Sequence, residues 1–130
     1  MPTTDAKAVI VAYIEAINAH DVDRIVALSA TNHEFVDAFG GVVPAETLAA
    51  AWSGYFKFMP RYGIEIEEIA CAGDTVSVFG QAWGSLEEAT DSAKSWRRPA
   101  AWRARVSGGL VELLQVYVDT KVVFDLLAAG

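Results

Sequence analysis

The feature that most constrains this chain is a change of hydrophobic period partway along it. Up to Met59 apolar residues recur mainly at helical spacing, with one short alternating stretch, and from Tyr62 onward they alternate with period two. Val9, Ile10, Tyr13, Ile14 and Ile17 share one face of a helix running from Thr4 to about Ala19, and Thr4 or Asp5 can cap its start. Asn18-Ala19-His20-Asp21 interrupts that pattern, and Asp21 can cap a short second helix with Val22, Ile25 and Leu28 on one face. His33-Glu34-Phe35-Val36-Asp37 alternates as a half-buried strand does and runs into a Gly40-Gly41 turn. A third helix is expected from near Pro44, carrying Leu48, Trp52, Tyr55, Phe56 and Met59 inward until Pro60 stops it.

Beyond Tyr62 the pattern is that of strands. Ile64-Glu65-Ile66-Glu67 alternates, and Glu68-Ile69 shifts the phase as a bulge would. Ala72-Gly73-Asp74 is a turn into a second strand, Thr75 to about Gly84, and the polar stretch from Ser85 to Ser95 reads as a surface loop. Two further strands, Trp96 to Val106 and Leu110 to Asp119, flank a Ser107-Gly108-Gly109 hairpin turn, and Val122 to Ala128 can close as a helical turn. Helices first and hairpin-linked strands after predict an α+β domain, its helices packed on one face of a curved, mainly antiparallel sheet. No repeat or linker divides residues 1–130, so one domain is expected.

Composition narrows the partners. The chain is 53% hydrophobic, enough for one core, and its net charge of −7 disfavours nucleic acid and anionic membrane, both of which recruit clustered Lys and Arg. With no apolar run near the roughly 20 residues of a spanning helix and no basic leader, a cytoplasmic location is expected. The lone Cys71 agrees with a reducing compartment. No phosphate-binding glycine loop, zinc-protease helix, paired-cysteine motif or nucleophile elbow is present, so neither a cofactor nor a metal is expected.

Several segments carry a likeness. Tyr13-Ile14-Glu15-Ala16-Ile17-Asn18-Ala19-His20-Asp21-Val22-Asp23, then Phe35-Val36-Asp37 with its glycine turn, resembles the opening of the nuclear transport factor 2-like superfamily, which includes ketosteroid isomerases and SnoaL-like polyketide cyclases. Ala72-Gly73-Asp74-Thr75-Val76, Pro99-Ala100-Ala101-Trp102-Arg103 and Val116-Tyr117-Val118-Asp119-Thr120 extend the resemblance over nearly the whole chain. It implies a cone-shaped, cystatin-like domain around a deep apolar pocket, often paired into a homodimer through the outer sheet face. It also implies catalytic roles: Tyr13 as hydrogen-bond donor to an enolate oxygen, Asp37 as the base that takes a proton α to a carbonyl, and Asp119 as a rival carboxylate. A second, protonated acid belongs in the isomerase site. Its position here is Ala101, so one oxyanion donor is missing, and such a loss costs about 2.7 to 4 kcal/mol of transition-state stabilisation.

Each candidate also has a plainer role. Asp37 can be a turn residue satisfying local backbone N–H groups, Asp119 a cap for the final helical turn, and Tyr13 a core aromatic. By resemblance, the face carrying Leu113, Gln115, Tyr117 and Asp119 looks into the pocket, and a buried Gln115 amide needs a partner from ligand or backbone. Phe35, Trp52, Phe56, Trp102 and Tyr117 are candidate lining residues and equally candidate core. On the strand from Thr75, Val76, Val78, Gly80 and Ala82 form a small face that can make room for a ligand, and Phe79, Gln81 and Trp83 a large one that can supply a dimer contact. Arg97, Arg98, Arg103 and Arg105 are expected to pair across strands with Glu65, Glu67, Glu68 and Glu112. The leading expectation is a pocket for a small hydrophobic, polycyclic molecule with cofactor-independent proton transfer of isomerase, cyclase or dehydratase type. The alternative is a non-catalytic ligand-binding or dimerisation module.

Overall fold

The pattern of the first 60 residues resolves into three helices in a computed structural model, which describes residues 5–86 and 95–129. Helix α1 spans Ala6–Asn18 and α2 spans Val22–Ala27, each opened by an aspartate whose carboxylate accepts a backbone N–H: Asp5 from Lys7 at 3.2 Å and Asp21 from Arg24 at 3.1 Å. Thr4, the other candidate cap, lies outside the described residues. Strand β1 runs Ser29–Val36, four residues longer at its start than the alternation indicates: Ser29 pairs with Val111, and the register is irregular from there to Glu34. The short strand β2, Val42–Pro44, folds back on Phe35 and Val36 and is too brief to register as a period. A 3-10 turn, Ala45–Thr47, leads into α3, Leu48–Phe58, which buries Leu48, Trp52 and Phe56. Pro60 holds the residue before it out of the helical region, and Met59 has φ −130° and ψ 72°.

Strands β3 (Gly63–Ala72), β4 (Thr75–Ser85), β5 (Ser95–Ser107) and β6 (Leu110–Val118) form an antiparallel meander, and α4 (Lys121–Ala129) follows. The six strands are ordered β2-β1-β6-β5-β4-β3, with β1 and β6 parallel and every other neighbour antiparallel. Gly108 and Gly109 both have positive φ, as a two-residue hairpin with the right twist requires. Most of the loop expected from Ser85 to Ser95 lies outside the described residues.

Two bulges shape the sheet. In β3 the register slips between Ile66 and Glu68, where the phase shift in the sequence falls. There the β3 backbone comes so close to β4 that a Cβ on Gly80 would meet the Glu65 carbonyl oxygen, so only glycine fits. In β6 the partners Arg105↔Leu113 and Val106↔Val111 leave Glu112 as an extra residue. That extra residue reverses the phase of β6: Val111 points into the core, and Leu113, Gln115 and Tyr117 stand on the outer face.

Helices α1 and α3 cover the inner face. Ile10, Tyr13, Ile17, Ile25, Leu48, Val76, Val78, Ala104, Val111 and Leu114 make one buried cluster there. Asn18 ties the end of α1 to the sheet edge, donating to the Ile64 carbonyl at 2.9 Å and accepting its N–H at 2.8 Å, as a neighbouring strand would. His20, with φ 55°, swings its ring onto Phe56 (centroids 4.0 Å apart) and donates from Nε2 to the Tyr62 carbonyl at 2.8 Å. The left-handed backbone is the strain that this double anchorage holds in place. No helix among the described residues is long and apolar enough to cross a membrane.

Candidate functional site

Between α3 and the inner sheet face the small side chains of β4 leave a cavity of about 340 Å³, within the range of small-molecule sites. Leu48, Ala51, Trp52 and Tyr55 line it from α3, and Phe35, Ala82, Trp96, Val116 and Val118 from the sheet. Asp37, Ala38 and Phe39 close one side, next to Thr120 at the entry to α4, where Phe39 and Phe124 meet edge to face at 5.9 Å. Tyr62 completes the wall. The face of β4 with Val78, Gly80 and Ala82 is the inward one, as the room-making reading requires, and Phe79 points out, 49% exposed.

A wider, more open groove of about 620 Å³ lies on the other side of Tyr62 and Trp96. Its His20 and Asn18 side chains are already bonded to backbone, and its rim at Ser85 and Ser95 adjoins the segment outside the described residues. The cavity beneath α3 is the smaller and less open of the two.

Of the nine candidates, this cavity brings together Phe35, Asp37 and Trp52. Asp37 Oδ1 accepts the N–H groups of Phe39 and Gly41, each at 2.8 Å, so one carboxylate oxygen holds the turn. Its Oδ2 lies beside Gly41 and has no hydrogen-bond partner among the described residues, and Asp37 is one of the residues lining the cavity. Tyr13 is wholly buried and does not line the cavity. Ser29 Oγ donates to the Ile25 carbonyl at 2.7 Å, so the 2.8 Å contact between the two hydroxyls is a bond donated by Tyr13. Burial pushes this phenol up to about 12, with the Ser29 bond opposing. Its proton serves the scaffold.

The face expected to look into the pocket is corrected by the Glu112 bulge. Gln115 Oε1 accepts from Arg103 Nη2 at 3.0 Å on the outer face, Tyr117 is 49% exposed there, and Val116 and Val118 line the cavity in their place. Asp119 is exposed and accepts the Lys121 N–H at 2.9 Å, capping α4 and not facing the cavity. Phe56 is buried between His20 and Trp52, and Trp102 is buried in the inner core, neither on the cavity wall. The cross-strand charge network is smaller than expected: among the described residues Arg97–Glu65 at 3.2 Å is the ion pair it forms, with Arg97 also 5.1 Å over the Trp83 ring.

The sequence reading placed Tyr55 inward without giving it a role at the site, and it missed Tyr62 and Trp96. Tyr55 lies three residues beyond Trp52 on the same helical face, a signal that was available. Tyr62 follows the Pro60 break, where no period points. Burial pushes both hydroxyls upward, Tyr62 further because it is the more deeply buried and, second, because Tyr55 adjoins it.

His33, stacked on Tyr13 in the core, is 1% exposed and donates from Nδ1 to the Val111 carbonyl at 2.6 Å. Burial pushes its imidazole below the ordinary 6.5, against the weaker pulls of that bond and of Glu34. Below about pH 6.5 the unfolded chain takes up a proton that the folded one resists, so this share of stability is complete above that pH and lost as pH falls. Thermal melts at about pH 7.5 and 5.5 should show the loss, and His33→Asn should shrink it.

A curved, mainly antiparallel sheet with helices packed on its inner face defines an α+β class of domain. Within that class the chain belongs to the SnoaL-like domain family, whose model matches residues 10–113. Solved structures share the fold at low identity. A SnoaL-like protein from Jannaschia sp. CCS1, named as a candidate polyketide cyclase, superposes with TM-score 0.82 at 16% identity, covering 100% of this chain and 96% of that one. A protein with a ketosteroid isomerase-like fold from Catenulispora acidiphila, in complex with trimethylamine, gives 0.80 at 20% identity over 95% and 93%. IdmH, a candidate polyketide cyclase from Streptomyces antibioticus, gives 0.78 at 17% over 95% and 99%. Among curated proteins none matches the chain.

Proposed function

We propose that the protein binds a small, largely apolar, ring-bearing molecule in the α3 cavity and shifts a proton on it without a cofactor. One observation carries this reading: a largely apolar, aromatic-lined cavity has a single carboxylate among its lining residues, Asp37, with an oxygen left over from its turn. In the step proposed, Asp37 Oδ2 takes a proton from carbon α to a carbonyl. The C–H electron pair becomes the enolate double bond, negative charge moves to the oxygen, and the carboxyl returns the proton to the same or another carbon. Two of the solved relatives are named as candidate polyketide cyclases, which agrees with an isomerase, cyclase or dehydratase type of step. Deuterium exchange at the α-carbon of a panel of ring ketones tests it, with exchange faster than in buffer expected.

A second reading, binding without chemistry, is favoured by the two backbone N–H groups that already occupy Asp37 Oδ1. It predicts saturable binding with no exchange above buffer.

For the outer sheet face we propose a second copy of the chain as partner. Phe79, Ala101 and Tyr117 pair directly across three strands, and the two aromatics are each 49% exposed, an apolar row that a solitary surface seldom carries. Sedimentation should give a dimer for the wild type and a monomer for Phe79→Asp; a monomeric wild type contradicts this.

A further inference from the structure

The cavity beneath α3 sets a wall of rings beside a single negative charge. Phe35, Phe39, Trp52, Tyr55, Tyr62 and Trp96 all line it. Trp52 and Tyr55 stand at 85° with centroids 6.2 Å apart, and Tyr55 and Tyr62 at 82° and 5.0 Å. Trp52 is 6% exposed, and its Nε1–H is the one buried side-chain nitrogen or oxygen without a hydrogen-bond partner among the described residues, so ring contacts and not a hydrogen bond hold the indole. Ring faces are electron-rich, and crossed rings around one space are the arrangement that recognises alkylated ammonium groups. Asp37 is the one charged residue among the described lining residues, and no Lys, Arg or His among them answers it. Its Oδ2 has no hydrogen-bond partner among the described residues. A carboxylate beside so apolar a lining is costly until a positive charge comes to it.

Resting on the reading of this cavity as a ligand site, we infer that its ligand is a cation: a ring-bearing tertiary or quaternary ammonium, its nitrogen against the faces of Trp52, Tyr55 and Tyr62 and its counter-charge the Asp37 carboxylate. An alkylated ammonium spreads its charge over an apolar surface, which suits an apolar lining, whereas a primary ammonium brings three N–H donors that each need an acceptor. An anion meets only a like charge here. The net charge of −7 draws cations toward the protein from a distance. A positive charge on the substrate also serves the proposed proton transfer. Tyr13 is bonded to Ser29, and Ala101 has no proton to donate, so neither supports an enolate oxygen. A charge carried by the substrate itself stabilises that enolate.

The test titrates the full chain with phenyltrimethylammonium and with tert-butylbenzene, which has the same shape with carbon in place of the charged nitrogen. Wild type should bind the ammonium about tenfold more tightly than the hydrocarbon. Its N-methyl proton resonance should move upfield, because ring currents shield groups held over aromatic faces and the acidic outer surface has no such effect. Asp37→Asn should cut the preference to about threefold or less. Tyr55→Leu, which removes a ring and keeps an apolar side chain, should weaken the ammonium about threefold with a smaller change for the hydrocarbon. Thermal melts confirm that both variants fold. Equal binding of the two probes by wild type, or tighter binding of the hydrocarbon, overturns the inference and leaves the cavity reading standing. So does a preference that both variants keep in full, or one without the upfield shift, since either places the ammonium on the acidic surface. Binding of neither probe overturns the cavity reading and the inference together.

Discussion

Replacing Asp37 with asparagine is expected to slow α-proton exchange of a bound ring ketone by about a hundredfold or more, the usual share of a general base. Asparagine suits the test because the proposal gives Asp37 two jobs on two oxygens. Its Oδ1 accepts the Phe39 and Gly41 N–H groups, and an amide oxygen can accept both in the same place. The position of Oδ2 then carries an NH2, which cannot take a proton. Asp37→Asn should therefore keep its melting temperature within a few degrees and lose exchange, whereas Asp37→Ala should lose the turn as well. Equal exchange by wild type and Asp37→Asn removes this carboxylate from the mechanism.

The largest effect on stability is expected at Trp52. The ring fills the space between Phe35, Tyr55 and Phe56, with centroid separations of 5.4, 6.2 and 5.2 Å, and truncating so buried an aromatic costs about 3 to 5 kcal/mol. Against this stands the orphan Nε1–H, whose removal returns about 1 to 3 kcal/mol. Trp52→Ala should thus lie near the low end, about 3 kcal/mol, or about 10 °C in Tm for a domain of this size. Trp52→Phe deletes the donor and keeps most of the ring, and its loss should be under about 1.5 kcal/mol. A Trp52→Phe variant as damaged as Trp52→Ala would show that the indole nitrogen is satisfied in solution.

What the sequence disclosed, and what it withheld, follows from the range over which each signal acts. The inward stripe of α1, the caps Asp5 and Asp21, the Gly108-Gly109 turn and the β3 bulge are local, each decided by residues within a turn or two of one another. The facing of β6 is not local. Alternation in Leu113, Gln115 and Tyr117 is evident, but one extra residue at Glu112 decides which side of the sheet it addresses, and only the pairing with β5 reveals that residue. The cavity is less local still. Phe35 with Asp37, Trp52, Tyr62 and Val116 come from four separate segments, and Tyr55 and Tyr62 become a pair only because the chain turns at Pro60 after α3. Asp37 was legible as a turn residue, the position that its Oδ1 takes, and as a cavity carboxylate, the role proposed for its Oδ2.

The central claim is that the space beneath α3 is a ligand site, and chemical-shift mapping of the isotope-labelled protein with 1-tetralone tests it most directly. The account predicts saturable shifts concentrated at the amides of Phe35, Ala51, Trp52, Ala82, Val116 and Val118 and at the Trp52 indole N–H. Shifts confined to the outer face around Phe79 and Tyr117, or none up to the solubility of the ketone, would contradict it.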